Sequence, residues 1–348
     1  MKQLKTDSKK TKKKKIVLKL DSLIKKASDY HDIGYDVYST GILPIDMKLK
    51  IGGYLKGRLV EIYGEEHTGK TLMTILAIIE EQRKNKDSLC LFCDAEGSFD
   101  TNWFKTLGGD LSRLDIFNPY EVAKENDIEL CGEWTYDRII ELIGTGKYSI
   151  AVLDSLMGPA LLSKVLLEKD MEETERLGIR ARLNNGFVDR VSLVTINTGT
   201  TLIITNHLMQ KLAVRFGNPD TTPGGKRLKF VAEQRLRIGL PKDKTAVGHT
   251  LRGGIIKNKR GASAGLQFET YLSYEEGIDN YLELVKMMIK ENMIKKDEKD
   301  KVLKEMREDY SAFQKYKDEI LRNKISLFNQ ESKDSDIFDE EENEFEED

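Results

Sequence analysis

The sequence predicts an α/β chain with a mostly parallel central sheet, extended by antiparallel strands and followed by a small helical C-terminal region. Three observations carry that prediction. Short apolar runs alternate with stretches of helical periodicity. A glycine-bounded turn separates the first strand-like run from the first long helix, and after residue 230 strand-like runs follow one another with no long helix between them.

In chain order, GRLVEIY (57–63) reads as a strand and TLMTILAIIEEQRKN (71–85) as the helix that follows it. LCLFCD (89–94), SIAVLD (149–154) and TLIIT (201–205) are apolar runs of strand length, while EWTYDRIIELIGTG (133–146) and the stretch around 175–197 have helical spacing. EQRLRIGL, TLRGGIIKNK and LQFETYLSY read as hairpin-connected antiparallel strands. From Ile278 to about residue 328 the chain is rich in Lys and Glu, lacks Pro and Gly, and spaces apolar residues as a helix does.

Composition sets limits on function. The 348 residues are 39% hydrophobic and 33% charged, enough for a sizeable core, and no run approaches the ~20 apolar residues of a membrane span. A membrane protein is excluded. The start MKQLKTDSKK has no apolar stretch of the signal-peptide kind, so a cytoplasmic location is expected, in the host cytoplasm if the source is viral. Three cysteines, Cys90, Cys93 and Cys131, argue against a disulfide framework, and the Cys90–Cys93 spacing lies within a strand-like run with no second pair to make a metal site. The net charge of −3 conceals +8 in residues 1–20 and −10 in residues 334–348. Blocks of like charge repel themselves and bury little. The expected organisation is a basic disordered arm (1–15), a short helical segment (16–37), the α/β core (38–277), the helical region (278–330) and an acidic disordered tail (331–348). A basic arm suits a polyanion, and an acidic tail suits a competitor for it.

The strongest local signal is GEEHTGKT, residues Gly64, Glu65, Glu66, His67, Thr68, Gly69, Lys70 and Thr71. It satisfies G-x-x-x-x-G-K-[ST] between a strand and a helix, where successive backbone N–H groups and the helix N-terminus make a phosphate cradle. Lys70 would reach the terminal phosphates of ATP, and Thr71 would offer its hydroxyl to Mg²⁺. A carboxylate at the end of a neighbouring apolar strand is then required, and SIAVLDS supplies Asp154. The cluster Asp94-Ala95-Glu96 follows another strand, so Glu96 can act as general base for the attacking water, with either Asp94 or Glu96 open to a structural role instead.

These motifs, with STGILPIDMKLKIGGYLKGRLVEIY, FGNPDTTPGGKRLKF and IIKNK, resemble the RecA family of homologous-recombination ATPases from about Tyr38 to Asn280. FGNPDTTPGGKRLKF is the most specific part, because generic phosphate-loop ATPases lack it. The short N-terminal region, the lysine-rich composition and His207 further resemble the virus-encoded, UvsX-like branch. The resemblance implies a RecA-type P-loop ATPase core, with Glu96 as general base and Lys70 beside it in catalysis. It implies nucleotide contacts from Asp100, Trp103 and Tyr274, and a reach by Lys257 and Lys259 to the γ-phosphate held by a neighbouring subunit.

The resemblance also implies two DNA-binding loops, through residues 157–178 and 208–225. Arg182 and Asn185 follow the first. Lys211, Leu212, Phe216, Gly224, Gly225 and Lys226 belong to the second, whose glycines admit the DNA backbone while Leu212 and Phe216 offer apolar faces to bases. Departures from the family pattern are His207 where Gln is usual, Met209 where Arg is usual, and Asp189 where a DNA-contacting Arg is expected, with Arg190 next to it. His207 is expected to couple ATP to the second loop. The implied activity is DNA-dependent hydrolysis of ATP, with Mg²⁺, by a helical filament of this chain on single-stranded DNA that pairs and exchanges strands with homologous duplex DNA, assisted by single-strand-binding and mediator proteins. The alternatives are a ring-forming helicase motor on the same core and a non-catalytic coat for single strands.

Overall fold

The computed structural model describes residues 35–156, 158, 161–164, 173–210, 220–261, 264–275 and 277–335. The basic arm, nearly all of the 16–37 segment, and residues 336–348 of the acidic tail lie outside them. The chain divides after Asp36, and residues from Val37 onward form one compact unit.

Alternation of side chains along the strands explains the core. The strands are β1 (Val37–Tyr38), β2 (Tyr54–Leu55), β3 (Leu59–Gly64), β4 (Leu89–Asp94), β5 (Leu114–Phe117), β6 (Tyr148–Asp154), β7 (Thr201–His207), β8 (Met209–Gln210), β9 (Asp220–Thr221), β10 (Gln234–Ile238), β11 (Gly248–Asn258) and β12 (Gln267–Ser273). Val60, Ile62, Phe92, Val152 and Ile203 face one way, onto the helix Lys70–Lys84 through Met73, Ala77 and Ile78. Leu59, Leu91, Ala151, Leu153 and Ile204 face the other way, onto the helices Gly132–Gly144 and Glu173–Thr198 through Tyr136, Ile139, Phe187 and Val191. Two apolar layers therefore sandwich one sheet. Cys90 points into the first layer and Cys93 into the second, so the two thiols cannot meet. Burial pushes the Cys90 thiol up to about 12 and raises that of Cys93 as well, leaving both inert.

The main sheet has the order β12-β11-β10-β3-β7-β6-β4-β5. Every pair from β10 to β5 is parallel, and β11 and β12 are antiparallel. EQRLRIGL thus departs from expectation: Gln234–Ile238 runs parallel to β3, because the short helix Arg227–Val231 precedes it and the chain re-enters the sheet in the direction of β3. Strand β5 has only four residues, two of them exposed, which is too short a signal for sequence patterning. Val37 belongs to a strand paired with Leu55 and not to a helical segment.

The C-terminal helices Asn280–Lys290, Lys299–Glu308 and Tyr310–Ser335 pack on the core, and the last continues beyond residue 330. Leu284, Val285, Met288, Met306 and Phe313 close over Leu43 and Met47. Asn280 ties down both ends of one turn, donating to the Gly41 carbonyl at 2.8 Å and accepting from the Leu43 amide at 2.9 Å. Lys317 donates to Asp46 Oδ2 at 2.6 Å and to Ser39 Oγ at 3.0 Å, and both charged groups are buried. Among the described residues, no helix is long and apolar enough to cross a membrane.

Removing one member of a buried ion pair strands the other without water, at a cost of about 3–5 kcal/mol. Lys317→Ala is therefore expected to lower unfolding free energy by about that amount. The double variant Lys317→Met with Asp46→Asn should recover most of the loss. Chemical denaturation of the three proteins checks both statements.

Candidate functional site

Parallel pairing brings the candidate residues to one edge. Gly64 is level with His207, and Asp94 is level with Asp154, so the carboxyl ends of β3, β7, β6 and β4 form a row. Ligands of open parallel sheets bind along such an edge.

At this edge the chain turns from β3 into the helix Lys70–Lys84. Gly64 is required by contact: a Cβ there would stand 2.5 Å from the Ile238 carbonyl oxygen. Gly69, the helix N-cap, has φ +93°, a conformation that side chains with a Cβ adopt at a cost. Glu65, Glu66 and His67 are exposed at the turn. Thr68 is buried and donates to the Glu65 carbonyl at 2.9 Å. Lys70 is folded inward, its ammonium donating to the carbonyls of Glu65 at 2.7 Å and Gly64 at 3.3 Å. Burial lowers its pKa, opposed by Asp154, Glu96 and Glu66.

Thr71 Oγ1 donates to Asp154 Oδ2 at 2.6 Å, and Thr205 Oγ1 donates to the other oxygen of the same carboxylate. Burial pushes the Asp154 carboxyl up, against these two hydroxyls. A desolvated carboxylate beside a hydroxyl is a pair of hard oxygen donors whose charge a cation would neutralise. Mg²⁺ fits such a site, since it takes few protein ligands and completes its shell with phosphate and water. Among the described residues no group of three or more His, Cys, Asp or Glu side chains could hold a metal by itself.

The two acids after β4 have different surroundings. Asp94 is buried and accepts from the amides of Ser98 and Phe99, both at 3.0 Å, so it shapes the loop. Glu96 is about one-third exposed and accepts at Oε1 from Ser155 Oγ and from His207 Nε2, the latter at 3.3 Å. A carboxylate only accepts, so Nε2 is the donor in this contact. The His207 bond, with that of Ser155, holds the Glu96 carboxyl below its usual range against the pull of burial. Ser155 is fully buried one residue beyond Asp154, and the sequence reading assigned it no role. Its only sequence signal is that position.

Asp100 caps the helix Thr101–Thr106, accepting from the amides of Asn102 at 2.8 Å and Trp103 at 3.0 Å. This oxygen is engaged in capping, while Trp103 lies half-buried against the core. Tyr274 is 40% exposed, and its hydroxyl stands 3.2 Å from His249 Nδ1. The turn after it touches the same region, because a Cβ on Gly277 would lie 3.3 Å from Leu107 at the end of the Trp103 helix. His249, another residue without a motif, is buried with Nε2 unpaired among the described residues.

Lys257 and Lys259 are held within the subunit. Lys257 donates to the carbonyls of Lys229 and Phe230, each at 2.8 Å, at the end of the helix Arg227–Val231. Lys259 pairs with Glu233 at 3.0 Å.

Of the implied DNA contacts, Lys211, Leu212 and Phe216 lie outside the described residues. The others converge. A Cβ on Gly225 would meet Asn185 Oδ1 at 2.5 Å, and one on Gly224 would meet Asn184 Nδ2 at 2.6 Å, so both glycines seat directly on the helix Glu173–Thr198. Arg182 is exposed on that helix, and Lys226 is exposed beside Gly225. Asp189 accepts from Arg227 Nε, which accounts for an acid at this position, and Arg190 pairs with Asp137 at 2.7 Å.

Comparison with known proteins places the chain in a family. The family model for the RecA N-terminal domain matches residues 8–279. Protein RecA of Gluconacetobacter polyoxogenes is 37% identical over 265 residues, covering 75% of this chain and 72% of the relative. Protein RecA of Mesoplasma florum is 32% identical over 269 residues, covering 76% of each. The crystal structure of the RadB recombinase superposes with a TM-score of 0.51 at 15% identity, covering 70% of this chain and all of that one. The chain belongs to the RecA family of ATP-dependent recombinases.

The lowered Glu96 pKa has a sign that can be measured. Stability from the Glu96 bonds is fully present above the unfolded carboxyl pKa of about 4.3 and is lost as pH falls through the lower folded value. In His207→Ala, Glu96 should protonate at a higher pH than in the wild type. Carboxyl-carbon chemical shifts followed as pH is lowered check this, and an unmoved midpoint would show that the imidazole does not act on Glu96.

Proposed function

We propose that this chain hydrolyses ATP at the Gly64–Thr71 edge and uses the cycle to form and release filaments on single-stranded DNA that exchange strands with homologous duplex. The observation that carries this reading is the ionised Glu96, held by Ser155 and His207 on the same edge as Lys70, Thr71 and Asp154.

The backbone turn Gly64–Gly69 would bind the phosphates, and Lys70 would exchange its two carbonyl partners for phosphate oxygens. Thr71 and Asp154 would hold Mg²⁺, which neutralises phosphate charge when bound. Glu96 accepts the proton of the attacking water, while Ser155 and His207 fix the orientation of its carboxylate. Trp103 and Tyr274 offer aromatic faces to the base, and Asp100 orders the helix under Trp103. Lys257 and Lys259 would leave their carbonyl and Glu233 partners to meet a neighbour's nucleotide, stabilising its γ-phosphate charge. Gly224, Gly225, Lys226, Arg182 and Asn185 would take the DNA backbone together with Lys211, while Leu212 and Phe216 would meet the bases. His207, in contact with Glu96 and one strand-end from β8, would pass nucleotide occupancy to that surface. His207 also supports the finer placement in the UvsX-like viral branch, for which the location would be the host cytoplasm.

Hydrolysis measured in parallel with no DNA, single-stranded DNA and duplex DNA tests the function. Stimulation by single strands is expected, and indifference to all DNA would overturn the reading. Lys70→Ala should abolish turnover, because it removes the cation that meets the phosphates. Glu96→Gln should leave ATP affinity and filament formation close to wild type while lowering kcat by roughly 10²-fold or more, since it removes a base without changing shape. Lost ATP binding in Glu96→Gln would make Glu96 structural.

A further inference from the structure

Directly behind His207 lies a buried polar cluster that the hydrolytic residues do not use. Asn206, on β7, is fully buried. Its Oδ1 accepts from the His207 amide at 2.9 Å, and its Nδ2 donates to Glu61 Oε1 at 3.0 Å and to the Pro223 carbonyl at 3.2 Å. Both amide protons and the amide oxygen are therefore engaged, and a flipped amide would oppose donor to donor at His207. Glu61, on β3, is fully buried as well, and its Oε2 accepts from Arg235 Nε on β10 at 2.5 Å. The Arg235 guanidinium lies 4.8 Å over the Tyr63 ring, and Arg235 is the register partner of Lys257 on β11.

We propose that Asn206 is the positioning residue that joins three functional segments. One is the backbone at His207. The second is Pro223, immediately before Gly224 and Gly225. The third, reached through Glu61 and Arg235, is the strand that carries Lys257 and Lys259. A buried donor or acceptor left unpaired is costly, and a buried charge more so. Displacing any one segment alone would break a bond to the fully buried Asn206 or Glu61 side chain, so the three shift together. The inference rests on the reading of His207 and Gly224–Lys226 as nucleotide and DNA contacts, and it adds the element through which they communicate. Asn206 is fully buried, and sequence spacing gave it no signal.

The test compares full-length wild type, Asn206→Asp, the double variant Asn206→Asp with Glu61→Gln, and His207→Ala. For each, ATP affinity is measured without DNA, and single-stranded DNA affinity is measured with and without a non-hydrolysable ATP analogue. Asn206→Asp places an acceptor where Glu61 and Pro223 each need a donor. The ratio of DNA affinities with and without nucleotide is expected to fall by about fivefold or more. ATP affinity without DNA should stay within about twofold, since the phosphate loop is untouched. In the double variant the introduced amide at position 61 can donate to the introduced carboxylate, so melting temperature should recover, but nothing donates to the Pro223 carbonyl and the ratio should stay low. If the single variant fails to fold, the double variant decides alone. A wild-type ratio in either folded variant overturns the proposal, as does a parallel loss of ATP and DNA affinity with the ratio intact. If His207→Ala keeps the wild-type ratio while the Asn206 variants lose it, His207 leaves the coupling and Asn206 stays. A wild-type ratio of one removes the coupling itself, and both readings fall with it.

Discussion

In-register parallel pairing of four strands is the constraint on which everything else in this protein depends. Side chains on a strand alternate at a fixed period, so one residue of slip would send Asp154 or His207 to the wrong face as well as the wrong level. The register is held by the apolar layers on either side, where Val60, Val152 and Ile203 meet one helix while Ala151, Leu153 and Ile204 meet two others. Because the strands agree in direction and level, their carboxyl ends gather two carboxylates, a hydroxyl and an ammonium from segments far apart in sequence. Core packing thus sets the chemistry indirectly.

The fold was readable wherever a run of residues repeated one pattern. The strand runs beginning near residues 57, 89, 149 and 201 are continuous apolar stretches, and their positions follow from that alone. Direction is a different matter. Gln234–Ile238 has the same texture whether it runs parallel or antiparallel, and only the crossing helix before it decides. The turn between β3 and the helix Lys70–Lys84 was readable because its signal is local: eight consecutive residues, Gly64 to Thr71, carry the pattern. Ser155, Asn206 and Glu61 were not, because each is bonded to a partner distant in sequence and each lies in or beside a run that looks like ordinary core.

Asp94 and Glu96 show how closely spaced residues part in role. Both are acids within one turn of chain, and composition cannot rank them. Asp94 has two backbone amides for partners and is consumed by the loop it shapes. Glu96 has a hydroxyl and an imidazole, which leave it ionised and partly open. The same contrast separates Lys317, locked to Asp46 in the interior, from Lys257 and Lys259, whose partners are carbonyls and an acid at the surface.

The opposed orientation of Cys90 and Cys93 has a practical consequence. All three cysteines, including Cys131, are buried and free, and the two strand thiols are held in their neutral form. A thiolate is what alkylating reagents attack, so Cys90 and Cys93 offer such reagents very little in the folded protein. A single cysteine introduced at an exposed position such as Phe230 would react ahead of both. The two strand thiols therefore need no replacement before fluorescent or spin labels are attached at such a position.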